Sequence, residues 1–282
     1  MKYLKSPYLV SIHGGHCGQF CSHAQDNLED IIISYIKKGF KWVGITEHMP
    51  PPADCFLYPE EVNAGLDSQK MYNRFSDYIK TCRQLQEKYA LSIKIFTAFE
   101  TESYTGSFLF VKQLVKDFKP DYIVGSVHHV HDIPIDMSEY LYNKAVNKSG
   151  GIVNLYCDYF DLQYKMINIL KPKVIGHFDL IRIFDPKYLH HLNFSQVQTR
   201  IRRNLEKIKE FDLILDFNVR AFLKGADEPY ISSKILQHAL ELDIAVVPGD
   251  DSHSIDSAGK NINKGISILQ KMNFNINWQF PC

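Results

Sequence analysis

Histidines and acids recur in this chain beside short runs of β-forming residues. His13 and His16 follow one such run, and His23 comes one loop later. His48 closes Ile45-Thr-Glu-His, Glu100 closes Ala98-Phe-Glu, and His128 closes Gly125-Ser-Val-His. His177 lies in Ile175-Gly-His-Phe-Asp, and Asp251 and His253 lie in Gly249-Asp-Asp-Ser-His. A further run offers Asp216, Asn218 and Arg220. Neutral imidazole and carboxylate are the donors that zinc, iron and manganese accept. One histidine at a strand end is ordinary loop polarity. Many converging on one rim would repel or lose their charge unless a cation compensated them. Two or three divalent transition-metal ions (zinc, iron or manganese), roughly 3.5–4 Å apart, can bridge and activate a hydroxide. The expected chemistry is metal-assisted hydrolysis.

The elements that must position these groups follow from periodicity. Strands are expected over Leu9–Ile12, Trp42–Thr46, Ile93–Phe99, Tyr122–Val127, Val174–Phe178, Leu213–Val219 and Ile244–Pro248. Helices are expected between them. Leu28, Ile31, Ile32, Tyr35 and Ile36 form one helical stripe that Gly39 stops, and others cover 69–89, 107–118, 152–170, 195–210, 232–242 and 257–271. Alternating strands and helices imply a parallel α/β sheet, open or closed into a barrel. The links 49–68, 129–149 and 220–231 are read as long loops on the strand-to-helix side, where such folds place their active sites. His190, His191 and His238 fall outside this pattern and are read as surface residues.

Composition narrows the function. The 282 residues are expected to form a single domain over 1–282, and 45% apolar content supplies its core. Lysine plus arginine and aspartate plus glutamate both number 32, so no excess positive charge favours nucleic acid or an anionic membrane. The start, Met1-Lys-Tyr-Leu-Lys-Ser-Pro, has no apolar signal core, and no run is apolar enough to span a bilayer. The six cysteines, among them Cys17, Cys21 and Cys282, suggest no disulfide framework and are read as reduced thiols. These features lead to an expectation of a cytoplasmic protein.

The ordered set His13, His16, His23, Thr46-Glu-His48, Glu100, Ser126-Val-His128, Gly176-His177 and Asp251-Ser-His253 resembles the PHP family, named for polymerase and histidinol phosphatase. The stretches Gly18-Gln-Phe-Cys-Ser-His-Ala, Leu57-Tyr-Pro-Glu-Glu, Ile133-Pro-Ile-Asp-Met and Glu228-Pro-Tyr look most like its histidinol-phosphate phosphatase branch. The resemblance implies a distorted (β/α)7 TIM-like barrel, with up to three metals at the C-terminal ends of the strands. By motif, His13 and His16 share one metal with Glu100 and Asp251. His23, His48 and His253 hold another, and His128 and His177 join Glu100 at the remaining one, with Glu100 bridging. Glu100, Asp251 and His253 are the implied catalytic set. The implied reaction is hydrolysis of L-histidinol phosphate, a small phosphorylated metabolite of histidine biosynthesis. Other readings are a different small phosphomonoester or a metal-binding module without turnover.

Two departures from the family pattern stand out. The usual His-x-His is His13-Gly14-Gly15-His16 here. The glycines are expected to adopt positive φ and form a bulge or tight turn, with the strand ending near His13 and both rings on the cluster. The segment after strand six usually reads Asn-Thr-Ser-x-x-Arg-Lys, but here it is Asn218-Val-Arg-Ala-Phe-Leu-Lys224, with Leu223 at the arginine position. Arg182, Arg220 and Lys224 are therefore the candidate phosphate-binding cations.

Overall fold

The computed structural model describes residues 7–281. Met1–Ser6 and Cys282 lie outside them, and with them the readings of the N-terminal segment and of one reduced thiol. The strands are Val10–Ser11 (β1), Trp42–His48 (β2), Lys94–Glu100 (β3), Tyr122–Gly125 (β4), His129–Val130 (β5), Ile133–Pro134 (β6), Val174–Ile175 (β7), Ile214–Asn218 (β8) and Val246–Gly249 (β9). Seven of them form one parallel sheet in the order β1-β2-β3-β4-β7-β8-β9, and β5 and β6 make a separate hairpin. The sheet curls until its edges meet: Ile12 N–H donates to the Pro248 carbonyl at 2.9 Å. The result is a distorted, near-closed parallel barrel.

Strand alternation decides what fills it. Side chains two apart share a face. Trp42, Phe96, Ala98, Tyr122, Val124, Val174, Ile214 and Val247 pack together as one apolar cluster inside the barrel. Their neighbours Val43, Ile45, Ile95, Phe99, Leu215 and Phe217 join a larger core under the helices. The inward face continues upward along each strand. On β3 it runs Phe96, Ala98, Glu100, on β8 Ile214, Asp216, Asn218, and on β2 Trp42, Gly44, Thr46, His48. The interior is thus apolar at the N-terminal ends of the strands and polar at the C-terminal ends.

The helices are Leu28–Lys37 (α1), Pro59–Asn63 (α2), Ser68–Lys88 (α3), Ser107–Phe118 (α4), Glu139–Lys148 (α5), Ile152–Leu170 (α6), Tyr188–Leu192 (α7), Ser195–Glu210 (α8), Ser233–Glu241 (α9) and Ile262–Lys271 (α10). Leu28, Ile31, Ile32 and Tyr35 are the buried stripe of α1, as their spacing predicts. Three expectations change. Segments 49–68 and 129–149 are not plain loops, since they hold α2, α5 and the β5–β6 hairpin. The hairpin turns through His131 and Asp132, both left-handed at φ 55 and 62. Helix α10 starts at Ile262 rather than 257, because Gly259 and Asn261 adopt φ 72 and 64, which no helix tolerates.

The Gly14-Gly15 expectation is corrected too. Strand β1 ends at Ser11, before His13, and neither glycine is among the positive-φ residues. Both are required for space. A Cβ on Gly14 would sit 2.2 Å from the Gly44 carbonyl oxygen, and one on Gly15 would sit 2.7 Å from Ile31 Cγ2.

Candidate metal centre

Glu100, only 1% exposed, stands at the middle of the barrel mouth. Its Oε1 lies 2.8 Å from His177 Nε2 and 3.4 Å from both His13 Nε2 and His128 Nε2, and accepts from Ser126 Oγ at 2.6 Å. Its Oε2 lies 3.3 Å from His48 Nδ1 and 3.9 Å from His16 Nε2. Asp251 Oδ1 lies 3.4 Å from His16 Nε2 and 3.7 Å from His253 Nδ1. His23 completes the ring, with its Nε2 3.2 Å from His48 Nε2. The barrel therefore brings together all nine donors expected from sequence. Three overlapping groups drawn wholly from these nine have mutually close donor atoms: His13, His16 and Glu100; Glu100, His128 and His177; and His16, His48 and His253; two more include Cys21 (with His23 and His48) or Glu102 (with His48 and His128).

The residues fit divalent cations on an observation independent of motif. His13 Nε2, both nitrogens of His16 and His48 Nδ1 are buried without a hydrogen-bond partner. Leaving such atoms orphaned is costly, and a cation among them removes the cost.

Electrostatics divide the donors. Burial opposes charge on His13, His16 and His128, but surrounding carboxylates outweigh it. Glu100 and Asp251 hold His13 well above its ordinary value. Asp251 and Glu47 raise His16 to about 9. Glu102 and Glu100 raise His128 well above its ordinary value. Burial and the nearby His16 push His48 and His253 well down, and the same two causes lower His23. Against the effect of burial, neighbouring cations hold Glu100 and Asp251 ionised. His13 and His128 act on Glu100, and Arg220 and His13 act on Asp251. A bound cation would replace the protons that otherwise balance this set.

Above the donors opens a pocket of about 390 Å³. His23, His48, Glu100, His128, His177, Asp251 and His253 line its floor, and Tyr58, Glu60, Asp136, Met137, Arg220, Lys224 and Tyr230 are among its walls. Arg220 Nη1 donates to the Asp251 carbonyl and contacts His253 Nδ1. Burial and Arg220 depress the Lys224 ammonium, which lines the same pocket. Arg182 is not brought to this pocket. Its Nη2 donates to the carbonyls of Glu228, at 2.9 Å, and Pro229, while its Nε lies 3.4 Å from Asp179 Oδ1. The guanidinium also packs over Tyr188 and Tyr230, so it is held between these carbonyls and rings and away from the donor floor.

Sequence reasoning passed over Glu102. Its Oε2 lies 3.1 Å from both His128 Nδ1 and His129 Nδ1, so one buried carboxylate grips two consecutive histidines. Strand alternation contained the signal, because Glu102 is two residues beyond Glu100 and continues its face.

A near-closed parallel barrel that gathers imidazoles and carboxylates at its strand ends defines a metal-dependent hydrolase. More particularly, the chain belongs to the PHP domain family, which residues 15–220 match, in its histidinol-phosphatase branch. It is 37% identical over 266 residues to the "Probable histidinol-phosphatase" of Schizosaccharomyces pombe, covering 93% of this chain and 86% of that one. Two crystal structures show the fold. HisK of Listeria monocytogenes superposes with a TM-score of 0.80 at 24% identity, over 90% of this chain and 99% of that one. The histidinol phosphate phosphatase of Lactococcus lactis, complexed with zinc, L-histidinol and phosphate, gives 0.73 at 18% identity, over 96% and 95%. No described helix is long and apolar enough to cross a membrane.

Proposed function

We propose that this protein hydrolyses L-histidinol phosphate to L-histidinol and phosphate, a step of histidine biosynthesis in the cytoplasm. One observation carries the reading. Glu100 is shared by two donor groups on the floor of a pocket whose walls supply both cations and carboxylates. The similarity to proteins named histidinol-phosphatases supports the substrate. In this reading His13, His16, His23, His48, Glu100, His128, His177, Asp251 and His253 hold two or three divalent ions. Bound cations would supply the positive charge that activates water and clamps phosphate oxygens. Arg220 and Lys224 neutralise the remaining phosphate charge from the wall, while Asp136 and Glu60 hold the cationic end of the substrate. Neither carboxylate has a hydrogen-bond or ion-pair partner among the described residues, so both are free to receive an ammonium or imidazolium.

A panel of phosphomonoesters assayed for phosphate release tests this reading. Histidinol phosphate should have the highest kcat/KM. A preference of orders of magnitude for a sugar or nucleotide phosphate would contradict it. That second reading, another small phosphorylated metabolite, is favoured by Leu223, which puts an exposed apolar side chain where an arginine is usual. Zinc-loaded protein without turnover on any ester would leave a metal-binding module.

A further inference from the structure

We infer that Asp216 is a positioning residue for His13, and that the two together supply a metal donor that position 14 cannot carry. The inference rests on the proposal that the cluster holds cations. In the usual His-x-His spacing the partner of His16 would stand two residues earlier, at position 14. That position is closed. A Cβ there would meet the Gly44 carbonyl oxygen at 2.2 Å and Val43 Cγ2 at 2.7 Å, and backbone on the neighbouring strand cannot give way. The ring enters from position 13 instead. His13 is fully buried, its Nε2 has no hydrogen-bond partner, and that atom lies 3.4 Å from Glu100 Oε1.

The far side of the same ring is fixed. His13 Nδ1 lies 2.9 Å from Asp216 Oδ2. Asp216 is itself fully buried on the inward face of β8, and the same oxygen accepts from Asn218 Nδ2 at 3.0 Å and from the His177 backbone N–H at 3.4 Å. Donors converging on this oxygen make it an acceptor for Nδ1–H, which leaves Nε2, beside Glu100, as the nitrogen that would meet a cation in place of its proton. The neighbouring strands leave room for the pair. A Cβ on Gly249 would lie 2.1 Å from Asp216 Oδ1 and 2.9 Å from His13 Cβ, while one on Gly176 would already touch His13 Cε1 at 3.5 Å. Glycine at 249 is thus a condition for this arrangement.

Zinc affinity and stoichiometry of the whole protein, measured by chelator competition, test the inference without substrate. Asp216→Asn should weaken zinc at one site by about 10–100-fold. His13→Ala should weaken it at least as much, and the double variant should be no worse than His13→Ala alone, because Asp216 acts only through that ring. Wild-type affinity in a folded Asp216→Asn, or losses that multiply in the double variant, would overturn the inference. Multiplying losses would make Asp216 an independent ligand. Should Asp216→Asn fail to fold, nitrogen NMR of histidine-labelled, zinc-loaded wild type decides. A His13 ring protonated at Nδ1 with a zinc-shifted Nε2 supports the pair, and an Nε2–H tautomer overturns it. A wild type that takes up no zinc, iron or manganese would sink the phosphatase reading, and this inference with it.

Discussion

The inner and outer halves of the donor ring are built differently. In the inner half, carboxylates stand behind the histidines. Asp216 holds His13, Glu102 holds His128, and Glu100 lies among their Nε2 atoms. These side chains are almost wholly buried. In the outer half, His23, His48 and His253 face the pocket, and His23 and His48 touch each other through Nε2 at 3.2 Å. Burial and the cationic neighbour His16 lower His48 and His253, and desolvation among the surrounding rings together with His16 lowers the more exposed His23, so all three are neutral near pH 7. The inner donors are preorganised and charge-compensated, whereas the outer ones are neutral and open. A cation on the inner side should therefore be tightly held, and one on the outer side should exchange and meet substrate.

The largest effect should come from removing the centre. Glu100→Gln replaces the carboxylate shared by two donor groups with an amide that cannot neutralise two cations. Turnover should fall by about 10³-fold or more, with metal content reduced and the far-UV circular dichroism spectrum unchanged. Near-normal turnover with full metal would remove Glu100 from the centre.

A smaller effect is expected from His253→Ala on the outer side. Metal analysis after brief dialysis should show one ion lost and the inner metal retained, with affinity at the outer site down by about 10–100-fold. Equal loss from both sides would erase the distinction between the halves.

The smallest effect is a pH dependence of the metal-free protein. Histidine ordinarily titrates near 6.5, and His16 is raised to about 9 in the fold. Its contribution to stability is full below 6.5 and is lost as pH rises through about 9. His48 and His253 are depressed, so they resist the protonation that unfolding permits, and stability falls as pH drops below 6.5. Calorimetry of the apoprotein should thus find the highest Tm near pH 6.5, with the alkaline fall suppressed by zinc. A Tm that climbs steadily to pH 9 would contradict these directions.

Much of this arrangement was legible in the sequence because period and position coincide. Trp42-Val-Gly-Ile-Thr and Ile214-Leu-Asp-Phe-Asn announce strands, and inward alternation carries the same residues to the mouth. Pairing through space was not legible. Nothing near His13 announces Asp216, which is 203 positions away. Arg182 has the residue type of a phosphate ligand, but the nearby Tyr188 and, from a segment distant in sequence, Tyr230 and the Glu228 and Pro229 carbonyls hold it. The β5–β6 hairpin escaped because its turn is His131-Asp132, without the glycine that usually marks left-handed turns. The Asp132 carboxylate, which accepts from Thr105 N–H at 2.6 Å and Thr105 Oγ1 at 2.8 Å, ties that turn to the start of α4. Gly14 and Gly15 stand out in the sequence as turn formers, but neither has positive φ, and what requires them is close approach to Gly44 and Ile31, which only the packed strands reveal.

The most direct test of a hydrolytic metal centre is a titration of chelator-stripped protein with zinc, following bound metal and phosphate release from histidinol phosphate on the same sample. The account predicts no release from the apoprotein, two or three ions bound at saturation, and activity that appears only as the last of them fills the outer side. Full phosphate release from protein shown to contain no metal, or saturation without any release, would contradict it.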